Sequence, residues 1–136
     1  MRVGITFGTF DLLHVGHINI LARAKAVCDY LVVGVSTDEL STAKKNVAPV
    51  YSLEERLKIV GSLRLVDFVF PEESLELKAD YIREYRANVL VMGNDWAGKF
   101  DWVSDVCEVV YLPRTPSVST TAIIEHIVTT RPVAGA

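Results

Sequence analysis

The 136-residue sequence holds only two cysteines, Cys28 and Cys107, far apart in the chain. Neither has the spacing of a disulfide framework or a redox pair, so both read as buried free thiols. Basic residues are outnumbered, 14 Lys and Arg against 17 Asp and Glu, a formal charge of -3. A dedicated nucleic-acid binder normally carries a basic surface, and a tRNA-handling domain is further disfavoured by the small size. No apolar run is long enough to cross a bilayer and no basic-then-apolar leader opens the chain, which reads as a soluble cytoplasmic protein. Internal repeats, low-complexity tracts and linkers are also lacking. What remains is a chain that is 50% hydrophobic, expected to form one domain over residues 1–130 with a frayed tail at 131–136. A domain of that length buries roughly two thirds of its unfolded surface.

Histidine is scarce as well, with three in all, yet two of them share the first turn, Gly8-Thr9-Phe10-Asp11-Leu12-Leu13-His14-Val15-Gly16-His17. Val3, Ile5 and Phe7 alternate before it as in a strand, and Ile18, Leu21, Ala22 and Val27 follow with helical spacing. A strand that enters a glycine-bearing turn and then a helix aims unpaired N–H groups, and the positive end of the helix dipole, at whatever lies above the strand. That is an anion site, suited to phosphate. Gly8 is expected to let the backbone turn and Gly16 to let a ligand approach, with His14 and His17 on one face. A single His at a helix start is ordinarily a cap or a packing residue. Two imidazoles and two glycines in one strand-to-helix turn exceed what packing asks. His-x-x-His can also supply two zinc ligands, but His126 and the two cysteines complete no cluster.

Along the chain, Tyr30 to Ser36 is a nearly continuous apolar run, as in a strand covered on both faces. Ser41 to Val50 has no sustained period and reads as a loop. Ser52 and Glu55 form a capping box for a helix with Leu53, Leu57, Val60 and Leu63 as its stripe and Arg56 and Arg64 as polar neighbours. Val66 to Phe70 is a third strand stopped by Pro71, and Leu75 to Arg86 a helix. Val89 to Met92 and Val109 to Leu112 are the last two strands, with a loop or half-helix over Asp95 to Asp105 between them. Ile123 to Val128 marks a final helix. Strands alternating with helices mean a parallel sheet wound with right-handed crossovers, an α/β fold.

Ser119, Thr120 and Thr121 precede that final helix and offer hydroxyls and N–H groups as a second phosphate cradle. Arg114 adds a planar donor fork suited to phosphate or a base carbonyl. Two such helix starts can hold a triphosphate.

The first turn resembles the HxGH signature of the nucleotidyltransferase superfamily. Arg114-Thr115-Pro116-Ser117-Val118-Ser119-Thr120-Thr121 is similar to the RTxGISTT segment of the cytidylyltransferases within it. Met92-Gly93-Asn94-Asp95-Trp96-Ala97-Gly98-Lys99-Phe100-Asp101 is similar to the segment before the last strand in their glycerol-3-phosphate branch. The likeness runs from Val3 to about Val128. It implies a Rossmann-like, doubly wound, five-stranded parallel sheet of strand order 3-2-1-4-5, whose crevice at the carboxyl ends of strands one and four gathers all three segments. It implies cytidylyl transfer from CTP, with Mg²⁺ held by nucleotide phosphates and water rather than by side chains. The acceptor would be a polyol phosphate, glycerol 3-phosphate before others, and the product CDP-glycerol would serve a glycerol-phosphate polymer such as teichoic acid or a lipid head group. A homodimer is implied too.

By the same resemblance Thr9, Phe10, His14, Gly16 and His17 bind nucleotide from the first segment, and Arg114, Thr115, Ser119, Thr120 and Thr121 from the second. His14, His17 and Arg114 are the expected catalytic residues. Asp95 either accepts from the cytosine amino group or orients Arg114, and Asp11 braces the turn. Lys44, Arg64 and Lys78 are expected at the polyol phosphate, with Lys45 at the nucleotide. Two departures stand out. The relatives' Lys-x-Lys reads Lys44-Lys45-Asn46 here, which leaves open which lysine meets CTP. Pro116-Ser117-Val118 replaces an acidic-Gly-Ile run, so a positive φ at Ser117 would cost more than at glycine, and CTP against ATP preference stays open. A different polyol phosphate and a nucleotide-binding regulatory module without turnover are the competing functions.

Overall fold

The computed structural model describes residues 1–116 and 118–131; Ser117 and the expected tail beyond Arg131 lie outside the described residues. Five parallel strands form one sheet: β1 (Val3–Gly8), β2 (Tyr30–Ser36), β3 (Phe68–Glu72), β4 (Val89–Gly93) and β5 (Glu108–Leu112), in the order β3-β2-β1-β4-β5. The helices are α1 (Val15–Ala26), α2 (Asp38–Lys45), α3 (Leu53–Gly61), α4 (Lys78–Glu84) and α5 (Thr120–Thr130). The strand order is the one the resemblance implies.

The central strands are apolar on both faces because both faces are covered. Leu31, Val33 and Val35 of β2, with Val89 and Val91 of β4, pack with Leu21 and Ala24 of α1 and Val60 of α3. The alternate residues Ile5, Phe7, Val32, Leu90 and Met92 pack with Ile82 of α4 and with Phe100 and Val103. This period of two, buried on either side, is what a near-continuous apolar run denotes. Cys107 is buried, whereas Cys28 is only half-buried; both are free.

Two elements depart from the sequence pattern. Residues 41–45, expected in a loop, belong to α2, a helix whose only buried residue is Ser41. Its signals are at its ends. The Thr37 hydroxyl accepts from the Leu40 N–H, Asp38 and Glu39 open the helix, Lys44 and Lys45 close it, and Asn46 ends it in the left-handed conformation. Caps and dipole-matched charges hold it where apolar periodicity is absent. Likewise β3 runs two residues later than Val66 to Phe70 and includes Pro71, paired beside Val35. An edge strand tolerates the missing N–H. The helix expected over 75–86 divides into a 3-10 turn, Leu75–Leu77, and α4, and the 95–105 stretch holds the 3-10 turns Asn94–Trp96 and Asp101–Val103. No helix among the described residues is long and apolar enough to cross a membrane.

Candidate active site

The chain leaves β1 through a tight turn that spacing places at Gly8. The left-handed residues are instead Phe10 (φ 53°) and Leu12 (φ 48°). Gly8 serves by its missing side chain, since a Cβ there would meet the Phe10 ring at 2.9 Å. Bulky residues at positive φ persist only where neighbours over-determine them. Three anchors do so here. The Asp11 carboxylate accepts from the Val50 and Tyr51 amides at 2.6 and 2.9 Å, Arg56 donates to the Thr9 carbonyl at 2.8 Å, and the Thr120 hydroxyl donates to the Asp11 carbonyl at 2.8 Å. Asp11 is thus a brace of the turn, as expected, and the start of α5 is tied to the start of α1.

His14 caps α1. Its Nδ1 accepts from the Gly16 amide at 3.0 Å, and His17 Nδ1 accepts from the His14 amide at 3.1 Å. The rings stack with centroids 3.8 Å apart. Gly16 makes this possible, because a Cβ on it would fall 2.8 Å from His14 Cε1. The space expected for an approaching ligand is filled by the imidazole. Burial above all, then the neighbouring His14 and Lys45, push His17 from an ordinary 6.5 down to about 3, against a smaller opposing pull from Asp11. Burial and the Arg114 guanidinium lower His14. A neutral imidazole whose Nδ1 accepts carries its proton on Nε2, so each ring keeps one donor free for an anion.

The sign of the His17 shift makes a prediction. Between about pH 6.5 and 3 the folded state binds fewer protons at His17 than the unfolded chain does. Its contribution to stability is therefore complete above 6.5 and fades as pH falls toward 3. In a proton NMR titration the His17 ring signal is expected to stay constant from pH 8 to pH 5. A midpoint near 6.5 would overturn the buried, neutral assignment.

The second segment lines an open cleft of about 430 Å³ with Arg114, Thr115, Pro116, Val118, Ser119 and Ala122. It is docked on α1 by a hydrogen bond from Asn19 Nδ2 to the Thr115 hydroxyl at 2.8 Å and one from Arg23 to the Pro113 carbonyl at 2.9 Å. The hydroxyl cradle is only partly as expected. Ser119 accepts from the Ala122 amide as an ordinary N-cap and Thr120 is spent on Asp11, so Thr121 and the first amides of α5 are what remain. Asp95 Oδ2 lies 4.0 Å from an Arg114 nitrogen, with both side chains more than half exposed. That is the outer limit of an ion pair and beyond hydrogen-bond distance.

The adjacent lysines of α2 point to different neighbours. Lys45 is the cation beside His17, whereas Lys44 donates to the Ser36 hydroxyl at 2.9 Å and sits with Glu72 and Lys78. Lys78 is fully buried, paired to Glu72 and lying over the Phe7 and Phe100 rings at 4.3 and 4.6 Å. Arg64 is a correction. It is exposed in the turn between α3 and β3, at the amino end of the sheet, because α3 runs back from the carboxyl edge and delivers its last residues to the opposite one.

Glu72 and Arg56 were not singled out by the motifs. Arg56 left a trace: it falls on the apolar stripe between Leu53 and Val60, where a solvated charge has no place, and it is wholly buried. Glu72 follows a proline and gives no local signal. Among the described residues no three of His, Cys, Asp and Glu gather as metal ligands, which leaves the zinc reading of His14 and His17 without a third partner.

The chain is similar to known proteins over most of its length. The family model described as cytidylyltransferase-like matches residues 5–126. The glycerol-3-phosphate cytidylyltransferase of Bacillus subtilis strain 168 is 53% identical over 127 residues, 93% of this chain and 98% of that protein. The enzyme of the same name from Staphylococcus aureus is 45% identical, covering 93% of this chain and 96% of its own. A lipopolysaccharide core biosynthesis protein from Thermoplasma volcanium shares the fold, with a TM-score of 0.75 at 23% identity over 85% of this chain and 98% of that one. With the match spanning the starts of α1 and α5 and the strands between them, this chain belongs to the cytidylyltransferase-like family, in the company of the glycerol-3-phosphate cytidylyltransferases.

Proposed function

We propose that the protein condenses CTP with sn-glycerol 3-phosphate to CDP-glycerol and pyrophosphate. The observation that carries this is the stacked, neutral His14–His17 pair, whose Nδ1 atoms are engaged by backbone amides and whose Nε2 donors are free at a helix start. The names of the relatives supply the substrates.

An oxygen of the acceptor phosphate attacks the α-phosphorus of CTP, and the bond from that phosphorus to the bridging oxygen breaks in line to release pyrophosphate. The acceptor needs no general base, because its second pKa of about 6 leaves it largely dianionic near neutral pH. The protein aligns the two phosphates and meets the growing charge. Neutral imidazoles suit this: they donate without carrying a charge that would hold the ground-state triphosphate as tightly as the transition state. Arg114 and the open amides of α5 take the far end of the triphosphate. Mg²⁺ would be held by the CTP phosphates and water and would supply neutralisation of phosphate charge; Asp11 keeps both oxygens on backbone amides. Lys45, beside His17, is assigned to the nucleotide and Lys44, beside Glu72 and Lys78, to the acceptor; Thr9, Phe10 and Gly16 belong to the nucleotide side.

With CTP as donor, the reading includes a cytoplasmic reaction that feeds a polymer or lipid carrying glycerol phosphate. The same reading includes a homodimer, for which the exposed Phe68 on edge strand β3 and Val128 on α5 leave apolar surface; light scattering measures it. The test of function is pyrophosphate release with each nucleoside triphosphate, a panel of phosphorylated polyols and Mg²⁺. Turnover is expected with CTP and glycerol 3-phosphate together. Release with ATP or another polyol phosphate alone would reassign the substrates, and CTP binding without turnover across the panel would make the protein a regulatory module.

A further inference from the structure

We propose that Glu72 is the positioning residue of the acceptor site: its buried carboxylate holds the ammonium groups of Lys44 and Lys78 in place and in their charged form for the incoming phosphate. The inference rests on the proposed function only for the identity of that acceptor.

Glu72 ends β3 at the carboxyl edge of the sheet, beside Ser36 of β2. It is completely buried. One oxygen accepts from the Ser36 hydroxyl at 3.0 Å, and the other takes Lys78 Nζ. Ser36 in turn accepts from Lys44 Nζ at 2.9 Å. The hydroxyl therefore relays the carboxylate to the second lysine, and one anion organises two cations that come from different helices. Lys78 Nζ also lies over the rings of Phe7 and Phe100, and the side chain is fully buried. A lysine in such surroundings loses its proton unless an anion compensates.

The groups facing Lys44 come from four elements. Burial lowers it, Glu72 of β3 raises it, and Lys78 of α4, Lys45 of its own helix and Arg56 of α3 lower it further, to about 8. Lys78 is likewise lowered by burial and supported by Glu72. With Glu72 in place the cluster carries one surplus positive charge, two ammonium groups against one carboxylate. Without it, burial and mutual repulsion empty the site of charge, and an acceptor phosphate finds no counter-ion.

The experiment is Glu72→Gln, which keeps the shape and removes the charge. In steady-state assays with CTP and glycerol 3-phosphate, KM for the acceptor is expected to rise about tenfold or more, KM for CTP to change less than about twofold, and kcat to change little. The alkaline limb of kcat/KM for the acceptor should move down by about one pH unit. A purely structural glutamate would alter both substrates together or neither, and either result overturns the proposal. Should the variant not fold, Ser36→Ala cuts the relay while sparing the buried pair. It is expected to raise acceptor KM alone, and an unchanged KM overturns the proposal equally. An NMR titration of the lysine ε-carbons needs no substrate: the Lys44 midpoint is expected to drop in whichever variant folds, and a midpoint that stays near 8 overturns the electrostatic role even if another acceptor proves to be the substrate.

Discussion

Replacing His17 by alanine is expected to lower kcat by roughly two to three orders of magnitude while the affinity for CTP changes far less. The reason lies in how the ring is held. Its Nδ1 accepts from the His14 amide at 3.1 Å, its face stacks on His14, and its edge meets Phe10 at a centroid distance of 5.4 Å. A donor so fixed pays no reorganisation when charge develops on the α-phosphate, and it is neutral throughout the working pH range because its pKa is about 3. The substitution removes two things, however: the free Nε2 donor and the acceptor for the His14 amide. Asn and Gln separate them. A short amide places its oxygen where Nδ1 was, and a longer one places its nitrogen nearer to Nε2. His17→Asn should therefore keep the cap and still lose the rate, whereas His17→Gln should recover part of it. Near-normal turnover in His17→Ala, with CTP binding measured by calorimetry, would remove the histidine from the chemistry.

How much of this was legible before any coordinates can be judged from particular residues. The sheet was legible because Tyr30 to Ser36 is a nearly continuous apolar run and Val89 to Met92 an unbroken one, the pattern of a strand covered on both faces. The capping box at Ser52 and Glu55 was legible because both partners lie within one turn, and both hydrogen bonds are present. Helix α2 was not, since its stability comes from its ends rather than from a stripe. The first turn was half legible. Its residue types announce an anion site, but the jobs of its glycines depend on where rings fold: Gly8 gives room to Phe10, and Gly16 to His14. The acceptor cluster was the least legible part. Lys44, Glu72 and Lys78 sit on three elements, and nothing local tells a buried ion pair from two solvated charges. Only the alignment of β3 beside β2 brings Glu72 to Ser36. Arg64 shows the converse, a residue that resemblance sends to the phosphates and that chain direction carries to the other edge of the sheet.

Replacing Arg56 by methionine is expected to cost about 3–5 kcal/mol of stability, the range for breaking a buried, hydrogen-bonded charge. The guanidinium is wholly buried and donates to the carbonyls of Thr9 at 2.8 Å, Ser36 at 2.7 Å and Tyr51 at 3.0 Å, and to Asp38 Oδ1 at 2.6 Å. It thereby joins the carboxyl ends of β1 and β2, the approach to α3 and the start of α2. Methionine fills much of the volume and satisfies none of those oxygens, each of which costs about 1–3 kcal/mol when left buried and unpaired. For a domain of this length such a loss lowers Tm by roughly 10–20 °C, which a calorimetric scan resolves. Asp38 separates the charge from the carbonyls. Its side chain is 47% exposed, so water screens and replaces its half of the pair, and Asp38→Asn is expected to cost no more than about 1 kcal/mol. If the two variants melted together, the ion pair would be what matters. If methionine alone melts early, the guanidinium acts as a clasp on backbone oxygens, and residual turnover in the surviving fold should fall as well, because Thr9 begins the turn that carries both histidines.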